Sequence, residues 1–157
     1  MFEIRNVTVE GFDRMITAMR RDRGGNEASD SEWKFDEAVG GCCYEIGPED
    51  KTVCLRAIKA GYRPFMNFIG VWAHIEAPTE WWAICSGYFI AMQGVKRKGD
   101  SVTRSVFTSY GHLRNLLENS AENVDGLYCR EWDALREAVA ELPESWLLLD
   151  GLGEGRA

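Results

Sequence analysis

One apolar segment constrains the fold of this chain more than any other feature of its sequence. Residues 65–75, FMNFIGVWAHI, are rich in apolar side chains, so we expect a strand that is apolar on both faces and central in a sheet. Ala77-Pro78 ends that strand, because the residue before a proline is pushed out of the α region. Pro78 also suits the first turn of a helix, and the pattern therefore predicts a strand-to-helix corner.

The segment after that corner predicts a buried helix. Residues 78–92 include two adjacent tryptophans and are apolar almost all round, which is typical of a helix in a core or a subunit interface. We therefore expect a homo-oligomer that forms through helix 78–92. On a helix, Trp81 and Trp82 would point about 100° apart, which favours packing over a shared ligand pocket. Stacking of one ring on a flat ligand is the alternative.

Local signals along the rest of the chain predict a mixed architecture. Pro48 in the first turn and Gly61 after the last turn mark a helix at 47–61. Periodicity predicts further elements: a strand at 2–9, a helix at 12–21, a short strand at 38–46, and helices at 108–119 and 130–141. The expected fold class is α+β, a small sheet with a central apolar strand packed by several helices. We expect a single domain over 1–157, with a mobile loop at 22–37, a docked Trp146 and a frayed tail at 150–157.

Charge and hydropathy restrict where the protein acts. The formal net charge is -7, which disfavours non-specific binding to nucleic acid or to an anionic membrane surface, because both need basic patches. An acidic surface instead suits a protein partner with a basic face. The N-terminus lacks the features of a signal peptide, and no apolar run reaches the length of a membrane span. We therefore expect a cytoplasmic protein.

Cysteine and histidine usage predicts neither a metal site nor a catalytic residue. The five cysteines are Cys42, Cys43, Cys54, Cys85 and Cys129. Their number is odd and no CxxC pair occurs, so we interpret them as reduced thiols that mostly fill the core. A zinc site needs about four ligands at suitable spacing. His74 and His112 lie far in sequence from most of the cysteines, and nothing in the sequence brings a histidine beside a cysteine.

Residues 94–105 form the only basic segment and carry the ingredients of an anion site. Lys96, Arg97, Lys98 and Arg104 stand against a single acidic residue, with serine and threonine hydroxyls between them. A solvated turn is the alternative. With the aromatic residues upstream, the candidate ligand-binding residues are Trp81, Tyr88, Arg97, Lys98, Ser101 and Arg104.

Three separated pieces of the chain resemble one group of proteins. They are 11-GFDRMITAMRR-21 with 29-SDS-31, the segment 56-RAIKAGYRPFMNFIGVWAHIEAP-78, and the following EWW with the Ser/Thr-rich stretch downstream. Together they resemble uncharacterised phage and prophage proteins, most strongly over 56–82. That resemblance implies the cytoplasm of a bacterial host. The pattern is similar, more distantly, to flavin-dependent thymidylate synthases, which implies a thymidylate synthase-like fold and flavin and nucleotide ligands.

The resemblance also sets the expected function. In the synthases an Arg-His-Arg motif binds flavin and nucleotide, and counting from Ala77-Pro78 places that motif at Gly87-Tyr88-Phe89, none of which is a cation. We therefore expect a catalytically degenerate relative, a binding or interaction module for a nucleotide or a host protein, without bound flavin. The alternative is a flavin- or nucleotide-dependent enzyme of altered chemistry that uses the candidate residues named above.

Overall fold

The computed structural model describes residues 2–21, 29–122 and 129–152. Its strands are β1 (Glu3–Glu10), β2 (Glu32–Asp36), β3 (Gly41–Glu45), β4 (Gly70–Pro78), β5 (Ala91–Lys98) and β6 (Ser101–Ser109). Its helices are α1 (Phe12–Met19), α2 (Pro48–Lys59), α3 (Thr79–Cys85), α4 (Tyr110–Glu122), α5 (Cys129–Ala140) and α6 (Trp146–Leu149). Short 3₁₀ helices at Pro64–Phe68 and Ser86–Tyr88 precede β4 and follow α3. The architecture is α+β, as predicted.

Four strands form a main antiparallel sheet in the order β1-β4-β6-β5. β4 pairs with a neighbour on each side, so the predicted central position of the apolar strand is confirmed. The two outer strands are irregular, because the register shifts between Arg5 and Thr8 in β1 and between Gln93 and Lys96 in β5. β2 and β3 form a separate two-stranded hairpin.

β4 has one buried face and one exposed face. Val71, Ala73 and Ile75 are buried, whereas Trp72 and His74 between them are exposed. The implied burial of both faces is therefore wrong, although Trp72 places an apolar side chain on the exposed face as well. The start of the predicted strand is wrong as well, because the chain forms a 3₁₀ helix over Pro64–Phe68 before β4 begins.

The core lies between the helices and the buried face of the main sheet. Leu113 of α4 and Val139 of α5 line a small internal void together with Val71 and Ala73 of β4. The other helices add buried residues at helical spacing: Met15, Ile16 and Met19 from α1; Cys54, Ala57 and Ile58 from α2; Leu147 and Leu148 from α6. Removal of this apolar surface from water is the main stabilising force. The opposite face, where Trp72, His74 and Ser105 are exposed, is largely left uncovered by the described residues.

The helix predicted at 78–92 is much shorter than expected. α3 ends at Cys85, a 3₁₀ turn follows, and β5 already begins at Ala91. The backbone N–H of Ile90 donates to the carbonyl oxygen of Phe107 at 2.9 Å, so this part of the chain has joined the sheet. Gly87 and the β-forming residues after it favour that outcome. Oligomer formation through this segment stays a prediction.

Two segments interpreted as irregular contain strands. The predicted loop at 22–37 includes β2, while its residues 22–28 lie outside the described residues. The basic segment 94–105 is an antiparallel hairpin of β5 and β6 with a tight turn at Gly99 and Asp100, and is not a loop. In both segments the polar composition predicts a loop. It hides the alternation of side chains that is typical of a strand.

The remaining local predictions agree with the structure. The strand at 2–9 and the helices at 12–21, 47–61, 108–119 and 130–141 correspond to β1, α1, α2, α4 and α5, and β3 lies within 38–46. Gly61 has a φ of 84°, as a glycine after a helix end often does. Of the predicted tail, residues 153–157 lie outside the described part. None of the described helices is both long and apolar enough to cross a membrane.

Candidate functional site

Two of the predicted ligand residues lie in or beside the core. Trp81 is only 3% exposed, and its ring meets Trp82 and Phe2 edge-on, with centroids 5.1 Å apart in each case. Tyr88 is half-buried, and its hydroxyl oxygen accepts a hydrogen bond from the amide of Asn119. The Trp81 ring is therefore placed to pack within the protein.

The other four predicted residues project from both sides of the β5–β6 hairpin. Arg97 and Arg104 lie on the packed side of the sheet, and Lys98 and Ser101 lie on the exposed side. The Arg104 guanidinium carbon is 5.2 Å from the ring centroid of Trp82, within the range of a cation–π contact. The structure does not gather the six residues in one pocket, and their role in ligand binding stays a prediction.

The hairpin of β2 and β3 has an aromatic face and a charged face. Trp33 and Phe35 alternate along β2 and pair across the hairpin with Tyr44 and Cys42. The Trp33 and Tyr44 rings meet edge-on, with centroids 5.1 Å apart. On the opposite face the ammonium group of Lys34 pairs with two glutamates. An isolated two-stranded hairpin is marginally stable in water, so we expect its aromatic face to pack against another part of the structure or a partner.

A cleft of about 840 Å³ lies between this aromatic face and the open face of the main sheet. On the sheet side, Trp72 and Phe107 are cross-strand partners whose ring centroids are 4.9 Å apart. Three of the rings that line the cleft are well exposed: Trp33 at 58%, Phe68 at 55% and Trp72 at 43%. We call this cavity the aromatic cleft, and its volume is in the range typical of ligand pockets, roughly 300–1,000 Å³.

The start of α1 closes the aromatic cleft on one side. Gly11 has a φ of 113°, and a Cβ atom there would lie 2.1 Å from the carbonyl oxygen of Phe68. Only glycine permits that close approach, so this position is fixed by the geometry of the cleft wall. The charged residues of the lining are Glu10, Asp13 and Arg14, which leaves a small negative excess.

A buried carboxylate anchors the base of the hairpin against α2. Asp50 is 0% exposed, and its Oδ1 accepts a hydrogen bond from Arg20 Nε at 2.6 Å. Its Oδ2 accepts from the hydroxyl of Ser31 at 2.5 Å and from that of Ser29. The Ser31 hydroxyl oxygen also accepts from the backbone N–H of Gly47 at 2.9 Å. These partners compensate the burial of a charge, and we call them the Asp50 cluster.

Asp30, between the two serines, caps α2. Its carboxylate accepts hydrogen bonds from the backbone N–H groups of Glu49 at 2.8 Å and of Asp50 at 3.0 Å. Side-chain acceptors at this position satisfy donors that a helix leaves free at its N-terminus. Gly47 is required beside it, because a Cβ atom there would lie 2.2 Å from Asp30 Cγ. The Ser-Asp-Ser motif is therefore a structural joint between the hairpin and α2.

The electrostatics of this joint favour an ionised Asp50. Burial would raise the pKa of Asp50, but hydrogen bonds from Ser29, Ser31 and Arg20 outweigh burial and hold the pKa below its ordinary value. Burial raises the pKa of Tyr44, and the negative charge of Asp50 raises it further. The Asp50 cluster therefore holds one stable negative charge opposite one arginine.

A serine and a histidine lie side by side at the start of α4. The Ser109 hydroxyl oxygen is 2.7 Å from His112 Nδ1, and the hydroxyl also donates to Asn67 Oδ1 at 3.1 Å. The same hydroxyl oxygen accepts the backbone N–H of His112 at 3.1 Å, which is a helix N-cap. Ser109 is 1% exposed, so its hydroxyl is directed to capping and is not presented to a substrate.

The cysteines divide into two groups. Cys54 and Cys85 are buried, and burial raises the pKa of each to about 12, which fits the predicted core role. Cys42 and Cys43 are exposed and line the aromatic cleft, so the prediction is wrong for these two. The side chain of Cys129 lies outside the described residues.

The sequence contains a pattern that indicates one wall of the aromatic cleft, but the pattern spans only a few residues. In Glu32–Asp36, EWKFD, aromatic and charged residues alternate with the period of a strand. The segment stands next to a run rich in glycine, serine and aspartate, which predicts a loop. Five residues are too few for alternation to outweigh such a neighbourhood.

No family model, curated protein or solved structure matches the chain.

Proposed function

We propose that the chain is a protein-binding module that holds an extended apolar segment of its partner in the aromatic cleft. The observation that carries the proposal is the set of exposed rings on facing walls, from Trp33 on the hairpin to Phe68 and Trp72 at the main sheet. Large exposed apolar patches on otherwise polar proteins mark interaction sites. Aromatic side chains also dominate the energetic centres of protein interfaces.

The extent of the apolar surface favours a protein over a small molecule. Phe35 and Val39, each 66% exposed, continue the apolar surface along the hairpin beyond the residues that line the cleft. A compact ligand inside the cleft would leave these side chains in water. An extended segment could cover the cleft and the hairpin together, as peptides that lie along open grooves do.

Charge favours a basic partner. The chain carries a formal net charge of -7, and the acidic residues Glu10 and Asp13 outnumber Arg14 around the cleft. Complementary charge speeds encounter and excludes wrong partners more than it adds affinity. The partner segment should therefore carry lysine or arginine beside its apolar residues.

The resemblance to phage and prophage proteins supports a bacterial host protein as the partner. The similarity to flavin-dependent thymidylate synthases supports descent from that fold with loss of its reaction, since Gly87, Tyr88 and Phe89 stand where the cationic motif would be. Nucleotide or flavin binding at the β5–β6 hairpin, with or without altered chemistry, stays the alternative prediction.

Matched variants test the proposal. Peptides are selected from a random displayed library on the wild-type protein, and their dissociation constants are then measured by fluorescence anisotropy. We expect basic, apolar peptides, with affinity lowered by at least roughly 30-fold in Trp33→Ser with Trp72→Ser, since a single interface hot spot is worth about 2 kcal/mol. The control, Ile84→Ser with Ile90→Ser, removes two exposed apolar residues that do not line the cleft.

Two outcomes would contradict the proposal. Equal affinity in the cleft variant would place binding elsewhere, and equal loss in the control would mean non-specific adhesion.

Native mass spectrometry and an absorption spectrum of freshly purified protein address the alternative. A retained flavin or nucleotide would favour the enzyme hypothesis over a protein-binding module.

A further inference from the structure

A second cavity is rich in cations. It has a volume of about 960 Å³ and lies between α2, the turn before β4, α4 and the chain that follows α6. Among the described residues, its charged lining residues are Arg56, Lys59, Arg63, Arg114, Glu118 and Asp150. Four cations against two carboxylates give a local excess of positive charge on a chain whose net charge is -7. We call this cavity the cationic pocket.

One carboxylate of the cationic pocket is fully engaged. Glu118 accepts a hydrogen bond from Arg63 Nη1 at 2.5 Å on one oxygen and from Arg114 Nε at 2.9 Å on the other. Arg114 is 3% exposed and also donates to the backbone carbonyl oxygens of Leu147 at 3.2 Å and of Asp150 at 2.6 Å. Arg114 and Glu118 thus form a rigid wall of the pocket. The positive charge that could bind an anion must come from the other cations of the lining.

The two exposed cations of the pocket form no ion pair with the described residues. Arg56 and Lys59 lie three residues apart on one face of α2, both are exposed, and neither forms an ion pair with any described residue. Both also lie near the C-terminal end of α2, whose dipole contributes about half a negative charge. Two full positive charges outweigh that contribution, so an anion is still attracted.

Arg63 has unused donors. Its Nη1 pairs with Glu118, but its Nε is buried and has no hydrogen-bond partner within the described part of the chain. A buried N–H without a partner is unfavourable, and guanidinium groups bind phosphate oxygens through several donors at once. Arg63 is thus fixed in place by Glu118, and its side chain is still 28% exposed. Its Nη2 forms no hydrogen bond with a described residue and can donate to another oxygen ligand.

We propose that the cationic pocket binds the phosphate monoester of a small organic molecule. Arg56, Lys59 and Arg63 would hold the dianionic phosphate, because the net excess of two positive charges matches it. The cavity is much larger than a phosphate group, and Leu55, Ile58 and Leu152 supply an apolar lining for the organic part. This site is separate from the aromatic cleft, since the two cavities share no lining residue.

Calorimetric titration with phenyl phosphate and inorganic phosphate at low salt tests the proposal. We expect saturable binding, with phenyl phosphate bound more tightly because its ring meets the apolar lining. Arg56→Gln with Lys59→Gln should weaken phenyl phosphate binding by about 10-fold or more, because the variant loses charge-assisted hydrogen bonds to the phosphate, which are stronger than neutral ones. Asp150→Asn should strengthen binding, because it removes a negative charge and keeps the backbone carbonyl that holds Arg114.

Lys96→Gln with Arg97→Gln is the comparison variant, because it removes the same charge from exposed positions of β5, where the competing anion site is predicted. Unchanged binding in this control supports the pocket. Loss in the control alone would move the anion site to the β5–β6 hairpin, and equal loss in both variants would mean attraction by net charge only. Absence of saturable binding up to about 10 mM phenyl phosphate would also overturn the proposal.

Discussion

Two pairs of tryptophans in this chain have opposite roles. Trp81 and Trp82 are adjacent in sequence and buried, at 3% and 2% exposure. Trp33 and Trp72 are far apart in sequence, exposed, and on facing walls of one cleft. The adjacent pair lies on a short helix whose tryptophan side chains pack into the core. The separated pair lies on strand faces that the described residues leave exposed. Exposure follows the face of the element rather than the local density of aromatic residues.

The largest expected effect would come from breaking the buried pair. Trp82 is fully packed, and its indole N–H donates to the carbonyl oxygen of Val102 at 2.9 Å. We expect Trp82→Ala to lower the free energy of unfolding by about 3–5 kcal/mol. Trp33→Ala should cost about 1 kcal/mol or less, because that ring is mostly in water. Urea unfolding of both variants checks the comparison, and similar losses would contradict it.

An intermediate effect is expected at the joint that holds the aromatic wall in place. Asp50→Asn removes a charge that three hydrogen-bonding partners compensate, and should cost about 2–3 kcal/mol in unfolding free energy. Asp133→Asn, at an exposed position of α5, is the matched control. A loss as small as that of the control would mean that Asp50 does not anchor the hairpin.

The pH dependence of stability sharpens the same prediction. The folded-state pKa of Asp50 lies below the ordinary aspartate value of about 3.9. The stability it contributes should be fully present above about pH 4 and be lost as pH falls through the lower folded-state pKa. Unfolding free energies measured from neutral to acidic pH should therefore fall more steeply in the wild type than in Asp50→Asn. Parallel curves would contradict the depressed pKa.

The smallest change in unfolding free energy is expected for substitutions on the β5–β6 hairpin. Arg97 and Lys98 are exposed on an outer strand and form no ion pair with described residues. Arg97→Ala with Lys98→Ala should change the unfolding free energy by about 0.5 kcal/mol or less. A large drop in melting temperature would show that these side chains stabilise the sheet.

Local signals in the sequence predicted the elements whose ends are marked. Helix α2 is an example, because Pro48 and Gly61 fix its ends without reference to the rest of the chain. β6 was missed because SVTRSVFTS is rich in serine and threonine, although Val102 and Val106 alternate onto the buried face. The sites depend on contacts between distant positions, such as Arg63 with Glu118, and spacing along the chain carries no information about them.

The irregularities of the outer strands of the main sheet bear on how this protein behaves at high concentration. The β1 irregularity includes Asn6 at a φ of 54°, and that of β5 includes Gly94 at a φ of 77°. Such bulges distort the row of free backbone donors and acceptors that another strand would need, and lysines along β5 add repulsion. Both features disfavour growth of the main sheet by strand addition at either edge. The open sheet face is therefore bordered by two edges that are poor templates for a further strand.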